Sequence, residues 1–269
     1  LAIAFIPTQL QAVEVVDGQY VWRFASDQAW PYGYELTTGK PNEVTYIDAY
    51  PNDFFERIAN ALPESELNEA FITDDAGSTI HLIEDGEVFI TFLHEGAGYR
   101  NAFGYFTFDP NAPPSTRFDV RETIVFPNLS YPHLRQGDRV SIGYFPAGTS
   151  IGFFIAANGF STDTGVRSSA VPYYYSLKHL NPESSDNLRQ HMATLYDPYV
   201  QEVVLGFEDL PRTWGDNDFN DAVFSVKTTP TSALDTTHLI TIPEANDSDA
   251  DGIADTLDEF PNNYRRAFS

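Results

Sequence analysis

Cysteine is absent from all 269 residues. Disulfides, thiolate nucleophiles and thiolate-ligated metals are therefore excluded together. Basic side chains are scarce as well: 15 Lys and Arg stand against 39 Asp and Glu, a formal net charge of −24. Such a surface repels phosphate backbones and anionic headgroups, which argues against nucleic acid and charged membranes as partners. No stretch comes near the roughly 20 apolar residues that a bilayer-spanning helix requires, so no membrane insertion is expected. Core-forming material is plentiful, with 42% apolar and 14% aromatic residues, and wholesale disorder is not expected.

The apolar residues fall in short runs. Val88–His94, Ala102–Phe108, Glu122–Phe126, Arg139–Phe145, Ile151–Ala157, Pro172–Leu177, Glu202–Phe207 and Ala222–Lys227 are rich in β-branched and aromatic types, with Gly, Pro, Asn and Asp between them. Within the last, Ala222, Phe224 and Val226 share one face and Val223, Ser225 and Lys227 the other. The expected fold is mainly β, an antiparallel, jelly-roll-like sandwich. One short helical insertion is predicted over about 52–69, with Asn52 and Asp53 as N-caps and Phe54, Phe55, Ile58 and Leu62 on one face. Residues 180–198 are read as containing a helical turn. Residues 1–227 would form the sandwich, 228–246 a linker with one strand-like patch at His238–Ile242, and 247–269 an acidic loop and tail. The apolar opening Leu1–Ala12 reads either as the end of a secretory signal or as a buried first strand, one able to pair with a neighbouring subunit.

Thirteen of the acidic residues crowd into two windows, 202–221 and 244–259. In the second, Asp247, Asp249, Asp251, Asp255 and Asp258 occupy positions 1, 3, 5, 9 and 12 of a loop with Gly252 at position 6 and the Ile253 carbonyl at position 7. That is the ligand order of an EF-hand-like calcium loop, with Asp where a bidentate Glu is usual. Two carboxylates about 5 Å apart repel by roughly 0.8 kcal/mol in water and by more in a lower dielectric. A hard divalent cation reverses the sign, and ligands that are all oxygen favour Ca2+ over zinc or copper. The loop and the Phe260-Pro261 after it resemble thrombospondin type-3-like and dockerin-like calcium repeats. In the first window, adjacent carboxylates of a strand point to opposite faces. Leu210-Pro211 ends the strand at Glu208-Asp209, so a Ca2+ held by Glu208 or Asp209 together with Asp216, Asp218 and Asp221 would tie the hairpin shut.

The segment Gly206–Phe224 resembles the signature of a bacterial domain-of-unknown-function family found in large calcium-dependent adhesins and in LruC-type surface proteins. The likeness extends in order through Glu95–Asp109, Val125–Asn128, Gly143–Thr149, Ile155–Phe160, Leu180–Glu183 and Arg189–His191, and covers roughly 70–269. It implies a secreted or cell-surface, calcium-binding β-sandwich used in adhesion, without catalytic activity. It also implies that Glu95 and Asn101 accompany the hairpin carboxylates.

Enzyme signatures fail on inspection. Gly148-Thr-Ser150-Ile-Gly152 has the spacing of a nucleophile elbow, but strands flank it and no helix follows. His94-Glu95 opens a zinc-protease pair, yet Gly98 stands where the second histidine is needed. For ligand contact the candidates are flat rings that stack on sugars or line peptide grooves: Trp214, Trp30, Tyr32 and Tyr34, with Tyr173–Tyr175 beside them. The expected role is a binding module that recognises glycan or peptide at a cell or matrix surface. The alternative is a filament or matrix subunit joined through Leu1–Ala12.

Overall fold

A computed structural model describes residues 34–35, 38–41, 44–47, 50–51, 53–72, 78–163, 165–166, 171–242, 259–260, 263 and 265. The calcium-loop ligands Asp247, Asp249, Asp251, Ile253, Asp255 and Asp258, the rings of Trp30 and Tyr32, and the segment Leu1–Ala12 lie outside the described residues. The larger of two facing sheets has seven strands, in the order β1 (Thr45–Tyr46), β6 (Asp138–Phe145), β3 (Gly86–Glu95), β13 (Ala222–Thr229), β12 (Glu202–Phe207), β11 (Met192–Asp197) and β14 (Ile240–Thr241). The other runs β10 (Tyr173–Tyr175), β7 (Ser150–Ala156), β4 (Ala102–Phe108) and β5 (Thr123–Phe126), with β2 (Ile80–His81) also on β7. A small ribbon, β8 (Phe160–Ser161) and β9 (Gly165–Val166), stands apart. The chain passes repeatedly from sheet to sheet, and every pairing is antiparallel except that of β11 with β14. The architecture is the expected β-sandwich.

Alternation along the strands sorts the apolar side chains into layers. Ala222, Phe224 and Val226 of β13 enter the core between the sheets, while Val223 faces outward into a second cluster. Phe103 of β4 lies at the centre: its ring stacks on Phe224 of the opposite sheet at 3.7 Å and meets Phe153 at 5.9 Å and Phe207 at 5.8 Å. Tyr173, Tyr174 and Tyr175 are all but fully buried, so these rings pack the fold and are not a surface platform.

The helical insertion is shorter than predicted. α1 (Phe54–Ala61) lays Phe54, Ile58 and Ala61 on the outer face of the large sheet, followed by Leu62. A separate 3-10 turn, Glu69–Phe71, ends the segment. Asp53 makes no side-chain cap bond; its carboxylate takes the guanidinium of Arg57, which also reaches Asp197 at 2.6 Å. A buried cation outcompetes a backbone N–H for that carboxylate. Residues 180–198 contain the 3-10 turn Asp186–Leu188 and then strand β11, which the hydrophobic pattern did not announce. Thr228 and Thr229 complete β13, and Ala233 and Leu234 join the core. No described helix is long and apolar enough to cross a membrane.

Replacing Phe103 by Ala removes the ring that joins the sheets and should cost roughly 3–5 kcal/mol in urea unfolding. Tyr131→Ala, at a residue 87% exposed, should leave the midpoint unchanged.

Candidate metal centre

Strand β12 ends at Phe207, and β13 begins at Ala222. The loop between them carries the acidic residues of the first window. As the Leu210-Pro211 break requires, Glu208 has left the strand, and its Oε1 accepts the Leu210 N–H at 3.2 Å. On regular extended backbone Asp216 and Asp218 would share a face and Asp221 would oppose them. Asn217 and Phe219 both adopt left-handed backbone, with φ of 63° and 61°, and this breaks the alternation. Such a conformation costs about 1–2 kcal/mol at a bulky residue. At Phe219 burial of the ring and the Arg212 guanidinium 5.0 Å above it offset that cost.

The outcome is a cluster in which Glu208, Asp216, Asp218 and Asp221 each place a carboxylate oxygen within 4.8 Å of the others. Glu208 is 0% exposed, Asp218 2% and Asp221 9%, whereas Asp216 faces solvent. Asp218 is held by N–H groups of Ser65 at 2.9 Å and Asn220 at 3.1 Å. Asp221 Oδ2 accepts the Asp209 N–H at 2.8 Å. Glu208 Oε2 is sealed from water and has no hydrogen-bond partner. Gly215 closes over this carboxylate: a Cβ there would stand 2.5 Å from Glu208 Oε1.

Asp209, Glu95 and Asn101 form the adjoining layer. Asn101, fully buried, donates its amide to Asp209 Oδ2 and accepts the Asn158 N–H at 2.9 Å. Both ends of that amide are thus engaged in positioning Asp209. Glu95 closes β3 opposite Ala222 and also has a buried oxygen, Oε1, with no partner. Burial pushes Asp221 up to about 8, with Asp209 adding to it, and Glu208 up to about 7, with Asp216 adding. Burial likewise raises Asp209 to about 6 and Glu95 to about 7, the latter helped by Asp209. No described Lys, Arg or His forms an ion pair with any of these six acids. Elsewhere, by contrast, Glu202 has Arg139 at 2.8 Å and Asp197 has Arg57. Oxygen-only donors, an orphaned buried oxygen and mutual repulsion fit a site for a hard metal cation.

The remaining candidates are placed differently. Trp214 is 64% exposed on the same loop. Tyr34 packs edge-on to Phe160, ring centroids 6.5 Å apart, and its hydroxyl accepts the Val166 N–H. Ser150 of the elbow-like pattern opens β7 and is 3% exposed, with its Oγ 3.2 Å from His81 Nδ1.

Sequence reasoning missed the braces behind the cluster. Arg212 donates from Nε to Asn217 Oδ1 at 2.8 Å and from Nη1 to the carbonyls of Asn187 and Gln190. His191, fully buried, joins Glu183 Oε1 at 2.9 Å to the Glu208 carbonyl at 3.0 Å. The only hint was that Leu180–Glu183 and Arg189–His191 belong to the segments that carry the family likeness.

Residues 145–229 match a family described only as a domain of unknown function (DUF4114). The match falls short of half the chain but takes in β12, the whole acidic loop and β13. No curated protein and no solved structure matches the chain.

Because Glu95, Glu208, Asp209 and Asp221 hold protons more tightly folded than unfolded, the metal-free protein should lose stability as pH rises. The loss runs from the ordinary carboxylate values near 4 through the raised values of about 6 to 8. Thermal melts in chelator should show that decline, and the same melts with a hard divalent cation in excess should be flatter over the same window.

Proposed function

We propose that the protein is a calcium-binding, non-catalytic module of a secreted or cell-surface protein that serves adhesion by recognising a glycan or peptide. One observation carries the reading: Glu208 Oε2 is buried and unpartnered beside three further carboxylates. A buried anion without a partner is strongly unfavourable, and a divalent cation is the simplest group that satisfies all four. Calcium is favoured over magnesium because it accepts six to eight oxygens at irregular angles, which suits donors drawn from different depths and chain positions. Calcium modules that work outside cells bind at roughly 10⁻⁴ to 10⁻³ M, which suits a site with one solvent-facing ligand, Asp216. The resemblance to calcium-dependent adhesins and LruC-type surface proteins supports the same reading. By the same carboxylate logic, the Asp247–Asp258 loop supplies a further calcium site. Glu95, Asn101 and Asp209 then support the hairpin site from behind.

Calorimetric titration should find calcium uptake that weakens by about tenfold or more in Asp221→Asn and in Glu208→Gln. In chelator the same variants should melt higher than the wild type, because each removes one member of a repelling set. Variants that took up calcium normally would sink the assignment. Gly215→Ala should behave like a weaker Glu208→Gln, since its methyl group displaces that carboxylate.

A further inference from the structure

A groove of about 660 Å³ runs between the acidic loop and the 3-10 segment that precedes β11. That volume is within the roughly 300–1,000 Å³ typical of small-ligand sites. Its walls include Lys178, Arg212, Glu69, Asp186, Asp216 and Leu188. Asp216 therefore belongs both to the carboxylate cluster and to the groove wall. Arg212 is 7% exposed and uses Nε and Nη1 to brace the loop, and no partner for its Nη2 is found among the described residues. A guanidinium anchored at two of its nitrogens on a groove wall can turn its remaining N–H groups toward an acceptor in the groove.

We infer that this groove is the ligand site and that it takes a neutral oligosaccharide, an inference that rests on the calcium-dependent binding role proposed above. The wall mixes two cationic and three anionic side chains with amides, so donors and acceptors alternate. A sugar hydroxyl both donates and accepts, and a string of hydroxyls satisfies such a wall without bringing charge. A net charge of −24 opposes polyanionic chains such as uronic-acid polymers. Leu188 offers apolar contact to the C–H face of a pyranose ring. Lys178 pairs with Asp186 at 3.4 Å, an exposed contact that a ligand displaces at small cost. Calcium controls the site through Asp216, which the cation holds in the wall.

The test screens the calcium-loaded full chain against immobilised neutral oligosaccharides, with uronic-acid oligosaccharides and extended peptides as comparison ligands, and titrates the hits by calorimetry. A neutral oligosaccharide should be retained, and chelator should weaken it. Leu188→Trp, which fills the groove, and Lys178→Ala should each weaken it by about tenfold or more while calcium uptake stays unchanged. Calcium uptake with no neutral oligosaccharide bound would overturn the inference. So would retention of uronides or peptides alone, or sugar binding that neither variant disturbs. A wild-type chain that takes up no calcium would instead overturn the reading on which the groove depends.

Discussion

Carboxylates forced together at the mouth of the β12–β13 hairpin set the terms for this end of the molecule. Glu208, Asp218 and Asp221 are removed from water, and no described cation pairs with them. Their repulsion acts on two adjacent strands near the middle of the larger sheet, where neighbours leave little room to relax. The sandwich resists it with conformational and hydrogen-bonded restraints: left-handed backbone at Phe219, the N–H of Ser65 from the turn after α1, and the Arg212 brace. A cation held there would convert the same geometry from a liability into a clamp.

The clamp is not confined to one sheet. Asn101 precedes β4 of the smaller sheet, and Asn158 follows β7 of the same sheet. Through them the Asp209 carboxylate is tied to the second layer, while the Asp209 N–H is tied to Asp221. Glu95 and the Gly96 N–H, which reaches the Asp221 carbonyl at 3.1 Å, bring in the end of β3. Occupancy of the cluster thus bears on how both sheets close at this edge, and on the loop that lines the groove. Buried Glu202 shows the alternative solution. Glu202 is saturated by Arg139, Tyr50, Ser225 and Lys227, and has nothing left for an ion.

Much of this was legible beforehand. Runs of β-branched and aromatic residues between turn formers gave Ala102–Phe108 and Glu202–Phe207 their bounds, and period-two alternation assigned the two faces of β13 correctly. The same reading missed Met192–Asp197, whose Met-Ala-Thr-Leu-Tyr-Asp holds no run of β-branched residues, and at Tyr173–Tyr175 it found the strand, but three consecutive rings that look like a surface platform fill both sides of an edge strand. The helix overran because Glu64 and Glu66 continue a helical composition beyond Pro63, whereas that proline bars helical backbone at Leu62 (φ −122°, ψ 73°) and the helix ends at Ala61. Asp53 reads as an N-cap from its position alone; only the fold brings Arg57 and Asp197 together around it.

The spacing of acids around a Pro-broken turn was enough to nominate Glu208, Asp216, Asp218 and Asp221 as one group, because strand parity and loop chemistry are local properties of the chain. Which oxygen is stranded, which acid also faces the groove, and which amide spans the two sheets are decided by residues far apart in sequence. Burial and the absence of a countercharge are sums over everything packed around a site, and no local pattern of residues contains them.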